Sequence, residues 1–187
     1  MGCSQSWLAV KGMTRETVLK SLGLRAASDR RNSQIEAAEL PTGWYLVVGD
    51  QSEQPILGEE AARRLSHDSD VIIGEVEEHV MVSMAAAWRE GFQLWSVLHD
   101  AQQDVEHLES SGDLPAEYES IREQLVLQQT AAGGRNAQVD FLFDVPVELA
   151  FRLTGYRYDT DLPGAHFEPL GTVAISLPTW WKRLLGR

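Results

Sequence analysis

One cysteine, Cys3, is all the chain has. A single thiol cannot close an internal disulfide, so the fold owes nothing to oxidation. A reducing, cytoplasmic location is the default expectation. Long apolar runs are missing too. No stretch approaches the ~18 apolar residues a spanning helix needs, so no membrane partner is expected. No basic-then-apolar leader opens the chain, so no secretory signal is read. Positive charge is scarce: 16 Lys+Arg stand against 28 Asp+Glu, a formal net charge of −12. Nucleic acid is thereby disfavoured as a partner, because its phosphates need cationic neutralisation. Motifs of catalysis are absent as well. Gly12, Gly23, Gly43 and Gly49 stand isolated and form no phosphate-cradling loop. Ser66, Ser83 and Ser96 lack a Gly-x-Ser-x-Gly setting. No cofactor is expected, and no metal set of established spacing is present.

What remains is ordinary globular composition. The 187 residues are 43% hydrophobic and 24% charged, which suits one folded domain with a real core and not a disordered chain. Residues 1–187 read as a single α+β domain. The expectation is a mainly antiparallel sheet of about five to seven strands, with three to four helices packed on one face.

Ser6–Lys11 reads as a strand ending at Gly12. Thr14 suits a helix N-cap, Arg15–Leu22 a short helix, and Gly23 its C-cap. Residues 25–40 are polar and read as a loop, and Pro41-Thr42-Gly43 as a turn. Trp44–Val48 does not alternate, which predicts a strand buried on both faces. Gly58–Ser66 reads as a helix with Ala61, Ala62 and Leu65 inward, and Asp70–Val76 as a strand. Arg89-Glu90-Gly91 reads as a three-residue hairpin loop joining 82–88 to 92–98. The run Ala85-Ala86-Ala87 leaves a short helix as the competing reading, since Ala is a weak strand former.

Residues 100–112 read as acidic and irregular. Asp113 is expected to cap a helix running to about Thr130, with Tyr118, Ile121 and Leu125 as its apolar stripe and Gly133-Gly134 as its stop. Val139–Phe143 reads as a strand, then Asp144 to about Leu153 as a helix with Gly155 beyond its end. Residues 160–187 read as an extended C-terminal tail docking on the body. It offers an edge strand at Val173–Leu177 and an amphipathic segment from Trp180.

Charge is unevenly placed. From Asp50 to Gln124 there are 18 acids against four Arg and no Lys; from Met1 to Ile35, six Lys+Arg stand against two acids. An acidic region of this kind can steer towards a basic protein partner. The candidate contact residues are Glu77, Glu78, Trp88, Glu90, Asp100, Asp104, Glu106 and Glu109, with Trp88 read as partly exposed beside the hairpin loop. The competing site is enzymatic. The hairpin register places residues 79–82 near 98–101, so His79, His99 and Asp100 form a possible metal or acid–base set, with Asp104 or His107 joining. Its spacing matches no established metal motif. Met1-Gly2-Cys3-Ser4-Gln5-Ser6 matches the myristoylation pattern, with Cys3 placed for a second acyl chain. Against that reading, an apolar strand comes at once and ties the end into the sheet.

Several stretches taken together resemble a family of small uncharacterised bacterial cytosolic proteins. They are Ser6–Gly12, Gly43–Val48, Val76–Met81, Ala87-Trp-Arg-Glu-Gly91 to Leu94-Trp95, His99–Gln102, and Asp140 to Asp144–Leu149. The resemblance covers roughly residues 6–159. It implies a bacterial source, and it carries over no catalytic residue. The chain is also similar in type to toxin-immunity proteins, which are small, acidic and motif-poor. The leading expectation is an immunity-type inhibitor that neutralises a toxin or enzyme through an acidic surface. The alternative is a small hydrolase-like or metal-binding enzyme using His79, His99 and Asp100.

Overall fold

The computed structural model describes residues 2–28, 33–52 and 54–173. Among these, nine strands form one sheet: β1 (Ser4–Lys11), β2 (Leu24–Ala26), β3 (Ile35–Glu39), β4 (Tyr45–Gly49), β5 (Asp70–Glu77), β6 (Val82–Arg89), β7 (Phe92–Asp100), β8 (Glu109–Gly112) and β9 (Glu168–Thr172). Four α-helices accompany them: α1 (Arg15–Leu22), α2 (Glu59–Leu65), α3 (Glu117–Ala131) and α4 (Asp144–Thr154). The spatial order is β2-β9-β3-β4-β1-β5-β6-β7-β8, and every pairing is antiparallel.

The α+β class and antiparallel sheet agree with the sequence reading. The sheet, however, has nine strands against the expected five to seven, and the helices cover both faces and not one. Successive strand residues point to opposite faces. Thus Trp7, Ala9, Leu46, Val48, Ile72 and Val76 join α3 and α4 in one core, while Leu8, Val10, Tyr45, Val47, Val71 and Ile73 join α1 and α2 in a second. A strand without alternation needs an apolar cover on each side. That condition holds for β1 and β5 as well as for β4.

Local signals hold where the chain caps itself. Thr14 accepts the Thr17 N–H, and Gly23, at φ 67°, closes α1. The β6–β7 hairpin is present, but its turn has two residues, not three. Glu90 and Gly91 both take positive φ, at 53° and 79°, and Arg89 pairs with Phe92. This is the backbone pattern of a type I′ turn. The extra residue falls in β7 instead, as a bulge where Ala87 faces Trp95 but Trp88 faces Gln93. The alanine run is strand. Ala85 and Ala87 are buried in one core and Ala86 in the other, so burial between two helical layers overrides intrinsic propensity.

Three further expectations need correction. Residues 25–40 are not all loop: β2 and β3 lie there, joined through β9, which inserts between them. Ser33 Oγ fixes this junction by donating to the Leu170 carbonyl at 2.7 Å. Asp113 does not cap α3, which starts at Glu117; its backbone N–H continues the β7–β8 ladder to the Leu94 carbonyl. Val139–Phe143 is not a strand, because the Asp140 carboxylate takes the N–H groups of Leu142 and Phe143 and turns the chain into α4. The tail contributes β9, a strand inside the sheet. Of the expected edge strand Val173–Leu177, only Val173 is described, and it lies past the end of β9; the rest and the Trp180 segment lie outside the described residues.

Candidate functional site

His79, His99 and Asp100 do not converge. His79 sits in the β5–β6 turn, exposed, with Nδ1 2.5 Å from Glu77 Oε1. His99 is fully buried on β7. Its Nδ1 lies 2.7 Å from the His107 carbonyl and its Nε2 2.9 Å from Asp140 Oδ2. Each ring nitrogen thus has a partner within hydrogen-bond distance, one on the loop after β7 and one on the turn before α4. Phe143 meets the ring edge-on at 6.4 Å. Asp100, next along the strand, points to the other face and braces its own loop. It accepts from the Gln102 N–H and the Gln103 amide, and the Gln103 bond holds its carboxyl below the usual range. Among the described residues, no group of three or more His, Cys, Asp or Glu is placed to hold a metal ion. His99 is therefore a structural pin.

The expected contact residues divide into bound and free. Glu77 accepts from Ser4, from the His79 ring and N–H, and from Ser52, and these bonds pull its carboxyl down to about 2. Glu78 accepts from the Cys3 N–H at 2.6 Å and the Tyr158 hydroxyl at 2.7 Å. Both glutamates thus pin the N-terminal strand, and Glu78 also holds the segment after α4. Asp104 and Glu106 share Arg135, which holds the Asp104 carboxyl below its ordinary value. Trp88 is only 9% exposed and belongs to the α1–α2 core, so it offers no surface anchor. Glu90 lies exposed at the hairpin tip, beside Phe92, which is 73% exposed. Glu109 is exposed on β8 and meets the His107 ring at 3.1 Å.

One acidic stretch starts at an expected contact residue, Glu109, and extends past the expected contact set. From Glu109 the chain runs through Asp113 into α3, whose solvent side carries Glu117, Glu119 and Glu123. All five acids are exposed, and β8 is the outermost strand at its end of the sheet, exposed along all four residues. Tyr118, Ile121 and Leu125 bury the opposite stripe of α3. The helical period that puts those three inside is the signal for which acids must face out.

The protein also has two adjoining clefts of about 480 and 450 Å³ at the N-terminal end of α1. Arg15, Glu39, Leu40 and Tyr45 border both. Arg15 forms a two-pronged ion pair with Glu168. Burial pushes the Tyr45 hydroxyl up to about 12, with Arg15 acting in the opposite direction. Neither His79, His99 nor Asp100 borders these clefts. Their pairing of Arg15 with Glu168, 153 residues away, has no local sequence signal.

No family model, curated protein or solved structure matches the chain. Its chemistry therefore rests on the arrangement of its own residues. Burial first, then the neighbouring carboxylates of Glu78 and Glu77, raises the Cys3 thiol above the ordinary value. The Cys3 carbonyl accepts the Glu78 N–H at 2.9 Å. A cysteine so placed is a poor nucleophile, and the chain before β1 is bonded to the end of β5. Among the described residues, no helix is long and apolar enough to cross a membrane.

Proposed function

We propose that this protein binds and inhibits a basic protein partner, in the manner of a toxin-immunity protein. Its contact surface is the acidic margin formed by β8, residues 113–116 and the outer side of α3. The observation that carries this reading is the run Glu109, Asp113, Glu117, Glu119 and Glu123, all exposed. Only one cation, Arg122, lies among them, paired with Glu119. Repulsion among such carboxylates costs stability, and a cationic partner relieves it. The same field accelerates encounter with that partner and weakens as salt rises. Phe92, exposed on β7 beyond the end of β8, offers an apolar anchor beside this margin. Glu90 and Glu109 remain from the expected contact set. Glu77, Glu78, Asp104 and Glu106 serve mainly to hold this protein together.

The test is capture from the native host at low and then high salt, with mass spectrometry of what stays bound. It is repeated with Glu109, Glu117 and Glu123 all changed to Lys. A single basic protein held at low salt, released by high salt and lost by the triple variant supports the reading. Capture that ignores both salt and the charge reversal defeats it, as does the absence of any stable partner.

A further inference from the structure

The two adjoining clefts of about 480 and 450 Å³ are each of a size that takes a small molecule. Arg15, Glu39, Leu40 and Tyr45 form their shared wall, with Glu168 on one cleft and Glu16 on the other. Three features of that wall define what it takes. The first is Arg15. Its two terminal nitrogens each give a hydrogen to the Glu168 carboxylate. A guanidinium carries five N–H groups, so three remain, with the Tyr45 hydroxyl close by. The second is Tyr45 itself, only 7% exposed yet bordering both clefts. Burial keeps its hydroxyl protonated, and among the described residues no acceptor takes that hydrogen. The third is Glu39. Its side chain is exposed, borders both clefts, and makes no hydrogen bond or ion pair among the described residues.

Donors suited to a carboxylate thus stand beside an acceptor suited to an ammonium. A bare anion would meet Glu16, Glu39 and Glu168 against one arginine. A bare amine would leave the Arg15 and Tyr45 donors unmet. A molecule with both charges satisfies both sides. Apolar surface lies next to them: Ala38 and Pro41 in one cleft, Val10 and Met13 in the other, and Leu40 in both.

We propose that the paired clefts bind a free amino acid with an apolar side chain. Its carboxylate lies against Arg15 and the Tyr45 hydroxyl, its ammonium against Glu39, and its side chain along Leu40. The clefts are on the opposite side of β1 from β7 and β8, so this site is independent of the acidic margin and of any partner bound there.

An NMR titration of the isotope-labelled full chain tests it. The standard amino acids are added one at a time up to about 10 mM, a range that reaches weak specific binding. The expected result is a saturable shift of the Arg15, Leu40 and Gly43 amides by at least one apolar amino acid. Its two halves, isoamylamine and isocaproate in the case of leucine, should each bind at least about tenfold more weakly. Glu39→Gln should weaken the amino acid by a similar factor without weakening the carboxylate half. Glu39 is exposed at the end of β3, so this change spares the core. No saturable shift of those amides by any apolar amino acid would overturn the proposal. So would a half that binds as tightly as the whole, which would assign the clefts to a simple amine or a simple carboxylate. Undiminished binding to the Glu39→Gln chain would overturn it as well.

Discussion

The His99 ring and the Asp140 carboxylate meet inside the protein, 2.9 Å apart across 41 residues of chain. The contact joins β7 to the turn that starts α4. The same carboxylate uses its second oxygen on the N–H groups of Leu142 and Phe143. Ser83, opposite His99 on β6, donates to the Phe143 carbonyl at 2.6 Å. The buried imidazole and the Ser83 hydroxyl together hold the start of α4 to β6 and β7.

Removal of that ring should be costly. His99→Ala takes away the ring that the His107 carbonyl and Asp140 Oδ2 meet, in a largely buried site. The expected loss is about 3 kcal/mol of unfolding free energy, read by urea denaturation. Asp140→Asn keeps an acceptor and should cost less, about 1–2 kcal/mol. A loss from His99→Ala no larger than that of an exposed substitution would remove the ring from its structural role.

Gly74 and Gly171 should respond in opposite ways to alanine. A Cβ on Gly74 would stand 2.2 Å from Trp7 Cζ2, in the packed core that Trp7 shares with Tyr156. Gly74→Ala must displace that indole, and we expect a loss of about 1–3 kcal/mol. At Gly171 the nearest atom is the Ala27 Cβ at 3.8 Å, an ordinary contact. Gly171→Ala should stay within about 0.5 kcal/mol of the parent. Paired thermal melts read both.

Acid should weaken the fold partly through Glu77. Hydrogen bonds, from Ser4 first and His79 next, depress its folded carboxyl to about 2 from an ordinary 4.5. A depressed carboxyl contributes stability that is fully present above the unfolded value and is lost as pH falls through the folded one. The window is therefore pH 4.5 down to about 2. Asp144 acts with the opposite sign. Burial raises its carboxyl despite Arg157, so its contribution favours the folded state as pH falls. Denaturation across this range should show a shallower acid slope for Glu77→Gln and a steeper one for Asp144→Asn.

Cys3 should react slowly with iodoacetamide. Its raised thiol leaves less thiolate at mildly alkaline pH than a free cysteine has, and partial burial slows access. Glu78→Gln removes one of the carboxylates that raise it and should speed the reaction. Mass spectrometry of timed aliquots gives both rates, and alkylation as fast as that of a short cysteine peptide would refute the assignment.

Much of the fold was legible where the cause is local. Thr14 and Gly23 bound α1 because capping is settled within a few residues of chain. Tyr118, Ile121 and Leu125 announced the buried stripe of α3 through helical period, and Glu90-Gly91 lies at the hairpin turn. The short strands were illegible for a different reason. β2 is a three-residue strand whose one partner is β9, and β3 pairs with both β4 and β9, which arrives between β2 and β3 from far along the chain, as the 137-residue span from Ser33 to Leu170 shows. Likewise, nothing near Val139–Phe143 tells that Asp140 spends its carboxylate on the start of α4 and on His99.

The candidate site divides along the same line. The sequence by itself determined the class of fold, the acidic balance and the absence of recognised catalytic motifs, because composition and short-range pattern carry those. Only the tertiary structure decided which acids are free. Glu78 is consumed by Cys3 and Tyr158, Asp104 by Arg135, and Trp88 by the core, while Glu109 to Glu123 remain in water. Hydrogen-bond partners and burial are properties of the packed chain, and they separate carboxylates that look equivalent in sequence.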